Sequence, residues 1–291
     1  MHSSYDLQAV LVSPSYHRSM EVIMDELPTK EVILHIQRSE TEYMHDRMDA
    51  IAKRPGNPEG VLIERFGHAL CLYSKTMPWL SFNTVKGIQS EDIGHLDAIV
   101  DFYRSRDRRF QIEIVPSTAN EELLKALAER GLYQSGFHNS MYMHPVNMEE
   151  EADPAIEIRH VTEHEFERYA TIHCRGTGLP DQGIPSVAAN NRVLAARKGW
   201  RFYLAYVQAE PAAAGVMYIN EGIASLTFGA TLPEYRRHGL HRLLLRHRIR
   251  IAQQAGCSLV VGQCGFLSQS HRNMEAVGMR LGYVRTTWTE R

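Results

Sequence analysis

Residues 223 to 255 carry a strand, an arginine-rich turn and a helix, and this order limits what the chain can fold into more than any other stretch. Ile223-Ala224-Ser225-Leu226-Thr227-Phe228-Gly229-Ala230-Thr231 reads as a strand, and Leu240 to Ala255 reads as a helix ended by Gly256. The join, Leu232-Pro233-Glu234-Tyr235-Arg236-Arg237-His238-Gly239-Leu240-His241, delivers the strand directly into a helix N-terminus. The first turn of a helix has backbone N–H groups without intrahelical partners and a partial positive charge, so such a junction suits an anion, a pyrophosphate in particular. Gly239 lets the backbone approach closely, and Arg236, Arg237 and Arg242 supply guanidinium forks that match phosphate oxygens.

The rest of the chain supplies elements around this junction. A length of 291 residues favours two domains, and 44% hydrophobic with 23% charged residues is an ordinary globular balance. A change of composition at Val146 to Pro154, acidic and closed by proline, marks a linker at 146–154 between a domain at 1–145 and a second at 155–291. After it, Ile156–Val161 alternates as a strand and Thr162–Glu165 forms a capping-box pattern for a helix running to about Cys174. A glycine- and proline-rich loop at 176–185 precedes a helix from Ser186 toward Arg197. Phe202–Val207, Ala212–Ile219 and Ile223–Thr231 then read as an antiparallel meander. Beyond the arginine-rich helix come a strand at Ser258–Cys264, a helix from about Gln269 to Leu281 stopped at Gly282, and an edge strand at Tyr283–Trp288. In the first half, strand Phe110–Val115, helix Glu121–Arg130 and Gly131-Leu132-Tyr133 repeat the order near Val260–Tyr283, a sign of internal duplication.

The pattern of strand, x-x-Pro-x-x-Arg-x-x-Gly-x-x and amphipathic helix resembles the GNAT acyltransferase superfamily, whose signature is Arg/Gln-x-x-Gly-x-Gly/Ala. Arg236 and Gly239 match, and His241 stands where the family has Gly or Ala. The closing Arg280-Leu281-Gly282-Tyr283 resembles the family's second signature, a helix followed by Gly-aromatic. The resemblance covers nearly the whole second half. It implies an α/β (α+β) architecture of two GNAT-like lobes, each a mixed, mostly antiparallel twisted sheet flanked by helices. The first lobe resembles a degenerate copy without the CoA turn, of the kind that shapes an acceptor pocket or a dimer. The expected function is acetyl-CoA-dependent N-acetyl transfer to an amine of a small molecule or peptide. The resemblance places acetyl-CoA on Arg236, Arg237, His238, Gly239, Leu240 and His241, with its pantetheine arm along Phe228, Gly229, Ala230 and Thr231.

Transfer of an acyl group from a thioester needs a neutral amine, donors for the developing oxyanion and an acid for the departing thiolate. The family's usual acid, a Tyr four residues before the closing Gly-aromatic pair, is replaced here by Gly278. Ser270 or His271 could stand in for it, and Glu221, His173 or Asp181 could act as the base, with water an equal alternative. The rival expectations are a non-catalytic CoA-sensing module and an arginine patch for nucleic acid. A net charge of −2 makes nucleic acid an unexpected partner. His238, His241 and His247 lack a carboxylate or cysteine at ligand spacing, so no metal is expected, and Cys264 reads as a buried thiol. Four scattered cysteines with no C-x-x-C pair fit a reducing cytoplasm, no run is apolar enough for a membrane, and a homodimer is allowed for.

Overall fold

The computed structural model describes residues 28–148 and 153–290. Part of the expected linker at 146–154 and the start of the first domain lie outside the described residues. The elements of the first half are α1 (Lys30–Ala52), β1 (Leu62–Phe66), β2 (Ala69–Tyr73), β3 (Thr84–Lys86), α2 (Leu96–Arg104), β4 (Gln111–Ile114), α3 (Glu121–Glu129) and β5 (Leu132–Met143). The second half supplies β6 (Ile156–His160), α4 (Phe166–Thr177), α5 (Ile184–Ala195), β7 (Trp200–Val207), β8 (Glu210–Asn220) and β9 (Ile223–Thr231). It ends with α6 (Leu240–Gln254), β10 (Leu259–Cys264), α7 (Gln269–Ala276) and β11 (Arg280–Glu290). Local chemistry sets several of these boundaries. Asn120 accepts from the Leu123 amide at 2.9 Å to start α3, Ser268 accepts from the His271 amide at 3.1 Å to start α7, and Thr162 and Glu165 form the expected capping box ahead of α4. Helix α7 is shorter than its sequence suggests, because Val277-Gly278 ends it with Gly278 in the left-handed region at φ 89°.

Among the described residues, eleven strands join one sheet in the order β1-β2-β3-β4-β11-β5-β10-β9-β8-β7-β6. It is mostly antiparallel, with parallel pairs at β3/β4 and β9/β10. The segment Tyr283–Trp288, expected at an edge, is instead central: β11 pairs with β4 on one side and with β5 on the other. The last strands of the two halves are thereby exchanged. β5 of the first half lies against β10 of the second, and β11 of the second lies against β4 of the first. A strand of eleven residues without proline leaves no backbone edge unpaired when it is sandwiched in this way, which is the arrangement that avoids an exposed, pairing-competent edge.

Helices cover both faces. On one face α1, α4 and α5 bury Met44, Met48, Tyr169, Phe202, Leu204 and Val216. On the other, α6 and α7 bury Leu240, Leu244, Ile249 and Met274 against Ala213, Leu226, Val260 and Cys264. The first half has its own core, where α2 and α3 pack Ile99, Tyr103, Leu123 and Leu127 on Val85 and Ile112. Among the described residues no helix is long and apolar enough to cross a membrane.

Candidate active site at a break in the sheet

The site is built on an irregularity in β9. Between the pairs Val216↔Phe228 and Tyr218↔Ser225, two residues of β9, Leu226 and Thr227, oppose the single residue Met217. Such a bulge inverts the side-chain alternation and bends the strand. Ala224 and Leu226 accordingly face α6, whereas Phe228 and Ala230 face α4 and α5. The parallel pairing with β10 stops at this level, at Gly262↔Leu226, so the ends of β9 and β10 part. A cavity of about 490 Å³ occupies the gap. Its lining comes from both faces of the sheet: His241, Leu245 and Arg248 of α6 with Ser270 and Met274 of α7 on one, Tyr43, Met44 and Arg47 of α1 with Trp79 and Phe82 on the other. The cavity therefore passes through the sheet between the parted strands.

Arg248 holds this opening in shape. It is 1% exposed, and its guanidinium donates to the carbonyls of Leu244 (2.9 Å), Val216 (3.0 Å) and Phe228 (2.8 Å). The bulge leaves main-chain acceptors that the ladder cannot satisfy, and a buried donor with several N–H groups answers that need. Burial lowers the Arg248 pKa to about 10, which leaves it charged at neutral pH. His241 reaches back from α6 to the same place. A Cβ built at Gly229 would lie 3.3 Å from the His241 ring, and the Asn273 amide meets Nδ1 of that ring at 3.0 Å. The imidazole thus takes space that glycine at 229 leaves open. Burial, with Arg248 adding to it, pushes the His241 pKa down to about 4.

The turn ahead of α6 has the features of an anion cradle. Pro233–Tyr235 form a single 3-10 turn, Arg237 and Gly239 both adopt left-handed backbone (φ 69° and 76°), and no side chain caps the helix. A Cβ at Gly239 would have nothing within 4 Å, so open space lies in front of the helix terminus. Arg237 and His238 are exposed, while Nη2 of Arg236 donates to the Gly176 carbonyl at 3.0 Å and ties the turn to the end of α4. The matching junction of the first half, between β3 and α2, differs. There the Asp92 carboxylate accepts from the amides of Gln89 and His68, both at 2.9 Å, and closes a capping box on the 3-10 segment Ser90–His95 that leads into α2.

The proposed catalytic side chains are dispersed. Ser270 lines the cavity. His173 is buried at its border, stacked on Phe228 with ring centroids 4.0 Å apart and on Trp79 at 5.6 Å. Burial, then Arg47, pushes its pKa down to about 3, so it is a neutral wall rather than a ready base. Glu221 sits at the β8–β9 hairpin turn, at the opposite end of β9 from the opening, where it ion-pairs with Arg38. Asp181 pairs with Arg175 at 2.8 Å outside the cavity, and the buried His271 accepts from the Leu267 amide at 3.1 Å. Gly278, at the position of the family acid, is the left-handed residue that turns α7 into β11.

Sequence reasoning missed the contribution of the first half. Helix α1 places Glu40, Tyr43 and Arg47 on one stripe toward the sheet, a spacing visible in the sequence but without an indication of what it faces. Glu40 accepts from Ser140 (2.5 Å), Gln263 (3.1 Å), Tyr283 (3.0 Å) and Arg285 (2.8 Å), and Tyr43 donates to Gln263 at 3.1 Å. Glu113 is bound by Lys86 at 2.5 Å with Arg285 at 3.4 Å, and Glu113 of β4 and Arg285 of β11 line the cavity.

With this geometry in view, comparisons with known proteins give a consistent result. Residues 159–262 match the family described as Acetyltransferase (GNAT) domain. Among solved structures, a GCN5-related N-acetyltransferase from Kribbella flavida superposes with a TM-score of 0.60 at 17% identity, covering 84% of this chain and 95% of that one. A tandem GNAT protein from the clavulanic acid biosynthesis pathway gives 0.59 at 14% identity over 86% and 94% of the two chains. A GCN5-related N-acetyltransferase from Sphaerobacter thermophilus gives 0.55 at 14% over 79% and 75%. Comparison with curated protein sequences returns no match.

Proposed function

We propose, from the premise that residues 159–262 match a GNAT acetyltransferase domain, that the chain is an acetyl-CoA-dependent N-acetyltransferase whose donor enters at the α6 turn and whose amine acceptor enters from the α1 face. The observation that carries this reading is the cavity running through the sheet where β9 and β10 part, with the first turn of α6 at its wall. The uncapped amides from Gly239 onward would hold the pyrophosphate, and Arg237 and His238 are exposed beside them. The main chain of Phe228 to Thr231, released from β10, would hold the pantetheine arm. The first half acts as the acceptor-side lobe: α1 and the segment around Trp79 wall the cavity, and its β3–α2 junction carries the Gln89/Asp92 capping box in place of an arginine–glycine turn.

In the reaction the amine nitrogen bonds to the acetyl carbon, the carbon–sulfur bond breaks, sulfur leaves with the electron pair as thiolate, and the nitrogen gives up one proton. Acetyl-CoA supplies the activated acyl group. The chain's contribution is to orient the two reactants, exclude water and place donors where charge develops. Arg248 fixes the Phe228 carbonyl and puts a positive charge beside Gly229. Ser270 is one of the cavity-wall hydroxyls, with Tyr43, Ser81, Thr227 and Thr287, and the one on the α7 side that could pass a proton to the sulfur. Glu113, the carboxylate in the cavity wall, is held by Lys86 and Arg285, so in this reading the amine's proton passes to solvent. The test is release of free thiol from acetyl-CoA on addition of an amine panel to the purified chain. Acceptor-dependent release supports the enzyme. Saturable acetyl-CoA binding with no release for any amine would replace it with the CoA-sensing alternative.

A further inference from the structure

A second cavity of about 230 Å³ borders the main one, and the two share Arg47, Trp79 and Phe82 in their walls. The second cavity lies where the halves meet, and most of its wall is apolar: Ile51, Met77, Leu179, Val187 and Leu194. Its one carboxylate, Glu59, is spoken for, bound by Arg54, Thr76 and, at 2.9 Å, Asn190. The main cavity is similarly balanced. Glu113 is paired with Lys86 and Arg285, Arg248 is bound to three carbonyls, and burial keeps His138 and His241 neutral at ordinary pH.

Arg47 is the exception. Its guanidinium lies 5.1 Å from the Trp200 ring and 3.5 Å from Thr227 Oγ1, its buried Nε has no hydrogen-bond partner, and no carboxylate pairs with it among the described residues. A cation partly withdrawn from water, as half-buried Arg47 is, gains when an anion answers it. Thr227 belongs to the bulge where the strands part, so an anion held by Arg47 would lie beside the reacting end of the main cavity and at the mouth of the apolar one.

We infer that the acceptor is an amino acid with a free carboxylate and an apolar side chain, the carboxylate held by Arg47 and the side chain by the second cavity. A carboxylate at the bulge leaves an α-amine one carbon away, facing Phe228 and Gly229. An Arg fork binds the two carboxylate oxygens together, which fixes that amine's direction. The products are an N-acetyl amino acid and free CoA thiol. This inference rests on the acetyltransferase reading, so calorimetric binding of acetyl-CoA is measured first and by itself.

The experiment compares thiol release by the full chain for leucine, phenylalanine and methionine with release for their carboxamides, for phenethylamine and for aspartate. The expected result is a kcat/KM for the apolar acids about tenfold or more above that for every compound lacking the carboxylate, since a site built around a charge rejects the neutral analogue. Arg47→Gln is expected to bring acid and carboxamide to within about twofold of each other by raising KM for the acid. Val187→Trp, which fills the apolar cavity, is expected to lower turnover of phenylalanine more than that of alanine. Equal turnover of acids and carboxamides by the unaltered protein overturns the inference even if Arg47→Gln does not fold. A loss in Arg47→Gln that is the same for all acceptors, or no turnover of any amino acid by protein that binds acetyl-CoA, overturns it too. Failure to bind acetyl-CoA at all overturns the acetyltransferase reading with it.

Discussion

Replacing Gly239 by glutamate separates a working phosphate cradle from an ordinary strand-to-helix connection. The substitution has two costs that can be measured apart. Gly239 is left-handed, so any side chain there strains the backbone by about 1–2 kcal/mol, but the space around its Cβ position is open and no steric clash is added. That strain lowers thermal stability by a few degrees and is shared by Gly239→Ala. The glutamate adds a negative charge facing a pyrophosphate. At about 5 Å, with an effective dielectric of about 40, two phosphate charges repel it by on the order of 3 kcal/mol, roughly a hundredfold in Kd. Calorimetric titration of acetyl-CoA into the two variants, alongside their melting curves, reads both quantities. The expected outcome is similar melting temperatures, near-normal binding for alanine and near-complete loss for glutamate. Binding by the glutamate variant within about threefold of the alanine variant, a difference worth less than 1 kcal/mol, would refute the assignment of the cradle.

Other consequences follow from the same geometry. Arg248→Met leaves the Val216 and Phe228 carbonyls buried without their donor, and is expected to destabilise the fold by about 2–4 kcal/mol in chemical denaturation; an unchanged midpoint would show that the bulge needs no such brace. His138, His173 and His241 have pKa values lowered to about 4, 3 and 4 from 6.5, so the unfolded chain binds more protons than the folded one as pH falls below 6.5. Stability is therefore full above that value and lost on acidification, by about 2 kcal/mol per histidine between pH 7 and 5, and denaturation curves that are flat across this window would contradict the burial of these rings. Residues 155–291 expressed alone lack β5, which leaves β10 and β11 without their shared neighbour; the fragment is expected to aggregate, and a monomeric, cooperatively melting fragment would contradict the strand exchange.

What could be read in the sequence was whatever depends on neighbours along the chain. The strand Ile223–Thr231 and the start of α6 at Leu240 fall where the residue pattern put them, because a run of β-formers and a glycine before an apolar periodicity are local signals. The capping box at Thr162–Glu165 belongs to the same class. The place of β11 was not legible, since nothing in Arg280–Glu290 records that its partners are strands about 140 to 180 residues away. The bulge was hidden for the same reason: it exists only as two residues of β9 set against Met217 of β8. Half of the cavity was missed because α1 contributes Tyr43 and Arg47 from the far end of the chain, and the spacing that reveals a stripe does not reveal what the stripe faces. Conversely, His241 departs from the Gly or Ala of the family signature, and the structure pairs it with the absent Cβ of Gly229.

The most direct test of the central claim is a calorimetric titration of the intact chain with acetyl-CoA at low salt. The account predicts one site per chain with micromolar affinity, lost on Gly239→Glu. Absence of heat from protein that melts cooperatively would contradict it, and would leave a GNAT fold whose opening between β9 and β10 serves something other than acyl transfer.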